Sequence, residues 1–193
     1  MDDLSTEAAR RRAIALATAL ATNTSLAPQA YERTLLERYA LGELTLDQVL
    51  QRLDTRVQQL FYRSRATQAF AEDHLRALMD ESRAHNEAHG ITGVLCYSER
   101  QFVQLLEGTP EHVHALYERI QRDPRHAQVT TLYDEASGQR FFANWQMGFV
   151  RVDADEFHWV LTSLARPSDD QELARQYVQD PALRLLLEAF TRA

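Results

Sequence analysis

Cysteine is nearly absent from this chain of 193 residues: Cys96 stands alone, so no internal disulfide and no cysteine-rich zinc site can form. That usage fits a reducing cytoplasm, and the position of Cys96 inside an apolar run favours a buried structural thiol. Basic residues are in deficit, with 21 Lys and Arg against 28 Asp and Glu and a formal charge of −7. The clustered positive excess that phosphate binding needs is therefore missing, and no nucleic-acid surface is expected. Long apolar runs are missing too, since no stretch reaches the ~18 residues of a membrane helix. The one candidate export signal is Arg10-Arg11-Arg12 ahead of AIALATALA. Asp2, Asp3 and Glu7 precede it and the run is alanine-rich, which favours an amphipathic helix. Glycine and proline are few, 6 and 5, beside 45% hydrophobic and 25% charged residues, which excludes fibrous and disordered classes and leaves one globular domain with extensions.

What is present is organised around residues 91–108, ITGVLCYSERQFVQLLEG. Two apolar runs, 94–97 and 102–106, flank a polar SERQ stretch, and their length and composition predict a β-hairpin. Side chains on a strand alternate with period two, so Gln104 points where Phe102 and Leu106 point. A buried amide left unmatched costs about 1–3 kcal/mol, so something polar must meet it. A backbone group or neighbouring hydroxyl is one answer, and a ligand with its own donors and acceptors is the other.

In chain order, residues 1–55 read as helical. A strong helix former lies at 7–21, a second helix begins near Pro28 and ends before Gly42, and a third begins at the capping box Thr45-Leu-Asp-Gln48 and runs to about Asp54. From Val57 a short strand follows, with Leu60, Tyr62 and Ser64 on one face. The next helix carries Leu75, Leu78, Met79, Ser82 and Asn86 on one stripe, so two polar residues prolong an apolar face. After the hairpin, Thr109 caps and Pro110 opens a helix with Val113, Leu116, Tyr117 and Ile120 on its apolar face. Arg119 and Asp123, one turn apart, flank that face. Strands are expected at 128–133 and 141–149 around a Ser137-Gly138 turn, with Trp145 and Met147 pointing the same way. The order is that of an α+β, ferredoxin-like βαββαββ domain with two helices on one sheet face, flanked by N- and C-terminal helical extensions. In the tail, helices are expected at 153–164, opened by an Asp153-Ala-Asp-Glu156 cap, and at 181–190 with Leu183, Leu186, Leu187 and Phe190 as an apolar stripe.

Six short stretches occur in order across residues 56–150: Tyr62-Arg-Ser64, Ser82-Arg-Ala-His-Asn86, Gly90-Ile-Thr-Gly93, Phe102-Val-Gln-Leu-Leu-Glu-Gly108, Asp123-Pro-Arg-His126 and Trp145-Gln-Met-Gly148. Together they resemble the BLUF domain, a sensor of blue light using flavin. The expected division is thus a helical extension at 1–55, the photosensor at 56–150 and a second helical extension at 151–193. Within the first arm, residues 31–53 resemble the helical module of Fic-type antitoxins. Thr24-Ser25 stands where that family carries its inhibitory Glu-Gly pair, so a general protein-interaction arm is expected there.

The BLUF resemblance implies a flavin, FAD with FMN or riboflavin as alternatives, held between the two helices over the sheet. By the family's pattern Tyr62 donates an electron and then a proton to the excited flavin, Gln104 links that tyrosine to the flavin edge, and Asn86 bonds the same edge. Leu78 and Ile120 sandwich the ring, while Ser82, His85, Arg119, Asp123 and Arg125 contact the rest of the isoalloxazine or the ribityl chain. His126 closes the acid-x-Arg-His run in a structural role. Trp145 and Met147 carry the change outward to the terminal helices. The resemblance implies a sensor and not an enzyme, acting on a downstream protein partner; no metal is expected, and the apolar arms at both ends favour a homo-oligomer, a dimer on symmetry grounds. The readings that compete are a degenerate flavin-free interaction module and a flavin redox protein. The turn Ser98-Glu99-Arg100 departs from the family in lacking a glycine.

Overall fold

The computed structural model describes residues 4–24, 26–151, 181, 183 and 184. Contacts divide these into two compact units: residues up to 58 with 135–139, and 59–134 with those from 140 onward. The first unit holds α1 (Glu7–Ala21), α2 (Ala30–Ala40) and α3 (Leu46–Asp54). Thr6 caps α1 by accepting from Ala9 N, and Thr45 and Gln48 form the expected capping box of α3. Helix α2 starts later than expected. Gln29 and Glu32 form its capping box, so Pro28 lies just outside the helix. Leu35, Leu44 and Val49 make the small core of this unit.

The second unit carries β1 (Val57–Ala66), α4 (Glu72–Ala88), β2 (Thr92–Ser98), β3 (Gln101–Gly108), α5 (Pro110–Arg122), β4 (His126–Ser137) and β5 (Gly148–Arg151), the first and fourth strands straddling the division. The sheet order β4-β1-β3-β2-β5 is the ferredoxin-like order with one added edge strand. One core cluster joins Leu75, Leu78 and Met79 of α4, Val113 and Tyr117 of α5, and Leu60, Tyr62, Leu95, Phe102 and Leu106 of the sheet, so both helices cover one face. The opposite face carries Phe61, Val94, Cys96, Val103 and Leu105, all buried, Cys96 as a free thiol.

The hairpin pairs Ser98 with Gln101, which leaves a two-residue turn. A type I′ turn has positive φ at both central positions, and Glu99 (φ 44°) and Arg100 (φ 67°) adopt it without a glycine. The Arg100 guanidinium donates to the carbonyls of Ala66 (3.3 Å) and Thr67 (2.5 Å), which compensates the conformation. Gly93 lies in β2 at φ 153°, where a β-carbon would overlap the Leu105 carbonyl oxygen.

The last strand corrects the sequence reading. Residues 141–147 are not strand, because their backbone groups are bound elsewhere. Phe141 N and Phe142 N donate to the Glu107 carboxylate, Trp145 N bonds Phe142 O, and Gly93 N bonds Trp145 O. Only Gly148–Arg151 is left to pair, parallel to β2. Trp145 and Met147 accordingly diverge: Trp145 is 38% exposed and Met147 3%. The tail helix expected at 153–164 lies outside the described residues, and of the one at 181–190 only Pro181, Leu183 and Arg184 are described, all helical. Among the described residues no helix is long and apolar enough to cross a membrane.

Candidate functional site

A cleft lies between α4 and α5 over the sheet. Each side chain reaches it for a local reason. Tyr62 and Gln104 come from inward positions of β1 and β3; Leu78, Ser82, His85 and Asn86 recur at helical spacing on α4; Arg119 and Ile120 come from the last turn of α5. Asp123, the C-cap of α5, and Arg125 close one end, and Met147 enters from the loop before β5. All ten residues expected to contact a cofactor thus line one cleft, and Trp145 stands outside it, packed on Gly148 and Phe142.

At the inner end the buried Tyr62 hydroxyl donates to Gln104 Oε1. Burial pushes the phenol above its usual range, with Tyr117, 5.2 Å away ring to ring, and Asp123 adding to the effect. The other end of the Gln104 amide, Nε2, faces the Met147 sulfur at 3.3 Å, a weak acceptor. Asn86 directs Nδ2 to Gln146 O at 2.6 Å. A phenol and an amide with one weakly matched donor can exchange hydrogen bonds, but this pair contains no base to accept a proton for good.

The mouth is charged. Asp123 takes Arg125 through its backbone N (2.8 Å), Nε and Nη2, and this bonding holds its carboxyl below the usual range. Arg125 also meets Glu81 at 3.5 Å. Arg119 Nη1 lies 3.1 and 3.3 Å from the two ring nitrogens of His85. Burial chiefly, and then Arg119, lower the His85 pKa. His126 shares a 2.7 Å hydrogen bond with Ser64 Oγ and stacks on Phe102, and burial lowers its pKa. Among the described residues no three side chains gather as a metal site.

Four lining residues were not singled out as contacts from sequence: Glu81, Leu95, Leu116 and His126. The hairpin register gives Leu95, which pairs opposite Gln104, and the α5 stripe gives Leu116. Nothing in the sequence distinguishes Glu81, an exposed acid on a helix rich in them.

Comparison with known proteins finds one family match, BLUF, described as sensors of blue-light using FAD, over residues 57–148. The photoactivated adenylate cyclase subunit beta of Euglena gracilis is 37% identical over 95 residues, 49% of this chain and 11% of that protein. Among solved structures, BlsA in its photo-activated state aligns with TM-score 0.52 and 27% identity, covering 71% of this chain and 96% of BlsA. BlrB, a BLUF protein in its dark state, aligns with TM-score 0.51 and 27% identity, covering 70% of this chain and 98% of BlrB.

Proposed function

We propose, from the premise that residues 57–148 belong to the BLUF family of sensors of blue light, that this chain is a photoreceptor that binds FAD non-covalently in the cleft and signals by rearranging the Tyr62–Gln104 hydrogen bond. The BLUF domain is a sensor and not itself an enzyme. The donor set of the cleft fits a flavin. Leu78 and Ile120 offer apolar walls for a flat ring, and Gln104 Nε2, matched among the described residues by a thioether, is suited to a ring acceptor. Asn86, Ser82 and His85 extend the polar lining along α4, while Arg119, Asp123 and Arg125 line the mouth, where a ribityl chain or its substituents would lie.

When bound, the flavin supplies blue absorption and a one-electron acceptor. The chain's own residues supply the rest. Tyr62 is a phenol that can give up an electron, and its proton sits on a hydrogen bond to Gln104. The raised pKa keeps that proton in place at rest. Loss of the Tyr62 donor frees Gln104 Oε1, and the amide can turn to offer a different atom to each neighbour, Met147 included. The single observation that carries this reading is the buried Tyr62-to-Gln104 hydrogen bond at the inner end of a cleft walled by Leu78 and Ile120.

The experiment is the visible spectrum of the purified protein before and after a blue flash. The expected result is a flavin spectrum that shifts red and relaxes in darkness, with the shift lost and flavin retained in Gln104→Leu. A colourless protein overturns the reading in favour of a flavin-free interaction module, and a flavin that only bleaches overturns it in favour of a redox protein. The output is proposed to pass through a protein partner or a homodimer built by the terminal helices. Cytoplasmic residence is proposed on the lone buried thiol.

A further inference from the structure

Glu107 is fully buried on the sheet face opposite the cleft, and the proposed photochemistry does not use it. A carboxylate at that depth must be surrounded by donors. It has three at 2.8 Å: Oε1 accepts from Phe141 N and Gln59 Nε2, and Oε2 accepts from Phe142 N. Two of these are consecutive backbone amides at the entry of the loop that leads into β5. The main-chain oxygen of Glu107 accepts from Arg140 Nη1 at 3.1 Å, and that guanidinium also reaches Thr92 Oγ1 and Gly90 O.

The exit of the same loop is bound on the cleft side. Gln146 O accepts from Asn86 Nδ2, Met147 O accepts from Arg83 Nε at 3.2 Å, and Met147 Sδ faces Gln104 Nε2. Gln104 and Glu107 stand three residues apart on β3, so their side chains leave opposite faces of the sheet. Glu107 therefore holds the loop entry, while Asn86 and Arg83 hold the exit with Met147 Sδ against Gln104.

Resting on the photosensor reading above, we propose that Glu107 is a positioning residue: its carboxylate fixes Phe141 and Phe142, and thereby sets Met147 against Gln104 in the dark. When the Gln104 amide turns, the loop exit loses one of its three contacts on the cleft side, that of Met147 Sδ with Gln104 Nε2, while the entry stays held. The motion is then a pivot about Phe141 and Phe142 and not a general loosening. Glu107→Gln removes this control with little change in shape. One acceptor oxygen becomes an NH2 group, so in either orientation a donor faces a backbone N–H.

The test has two arms. In the parent protein, backbone hydrogen exchange read by NMR is expected to show Phe141 and Phe142 protected in the dark and under blue light, with residues 145–147 exchanging faster in the light. Free exchange of Phe142 in the dark, or loss of its protection on illumination, overturns the proposal. In the second arm, Glu107→Gln is expected to bind flavin and shift red, but to return to the dark state about fivefold more slowly, the size of one hydrogen bond lost from the resting arrangement. A return rate within twofold of the parent, or a faster one, overturns it. Should Glu107→Gln fail to fold, the exchange arm in the parent still decides. A parent that binds no flavin sinks the photosensor reading and leaves dark exchange to judge Glu107 alone.

Discussion

The charged mouth of the cleft makes acid stability a property of identifiable residues. Asp123 has its pKa lowered, first by the hydrogen bond from Arg125, so the folded state favours the carboxylate. That contribution is present above the unfolded value, about 4, and is lost as pH falls through the lower folded value. His126 and His85 are lowered chiefly by burial, so the folded state favours their neutral forms, and stability declines once pH drops below about 6.5 and the unfolded chain protonates first. Thermal melts at a series of pH values should show both limbs. Asp123→Asn should lower the melting temperature at neutral pH and flatten only the steeper loss below about pH 4. An unchanged acid limb in that variant would remove Asp123 from the account. Of the site itself, Gln104, Asn86 and Ser82 were legible because each breaks an apolar pattern that burial otherwise enforces. Glu81 was not, because an exposed acid on a helix breaks no pattern.

At the scale of elements, the hairpin concentrates backbone strain. Gly93 at φ 153° has the Leu105 carbonyl where a β-carbon would go. Gly93→Ala should therefore cost more than about 2 kcal/mol, read as a drop in the denaturant midpoint at constant slope. Glu99 holds a left-handed conformation at the turn, which asparagine tolerates better. Glu99→Asn should stabilise by about 0.5–1 kcal/mol in the same measurement, and a loss would mean that the Glu99 side chain has a role its backbone does not reveal. Helices α1, α3 and α5 were readable almost to the residue, since caps such as Thr45 with Gln48 are local. The segment 141–147 was misread as strand because its composition suits one. A side chain 34 residues upstream in sequence, Glu107, takes the amides a ladder would need.

At the scale of the whole molecule, the proposed signal needs a surface by which to leave. On α1, Leu16 and Leu20 are 65% and 77% exposed and stand one turn apart, a stripe with the spacing of a helix-pairing face. Such a stripe is what the proposed dimer would use. Sedimentation velocity should find the parent as a dimer and Leu16→Glu/Leu20→Glu as a monomer, with the flavin spectrum and light-induced shift unaltered. A monomeric parent would turn the search to a different partner protein.

The sequence by itself determined the element order, the ferredoxin-like architecture, the polar residues that gather on apolar faces and the resemblance of residues 57–148 to BLUF, because periodicity, capping and short motifs act within a few residues of chain. The tertiary structure alone decided that Trp145 stands outside the cleft while Met147 lies in it, and that the last strand shrinks to Gly148–Arg151. It also decided that Asp123 is bound to Arg125 and that Glu107 holds the loop from the far face. The physical reason is that these depend on which distant donors reach a given backbone or side-chain oxygen, and a hydrogen bond between residues far apart in the chain leaves no periodic trace in either segment.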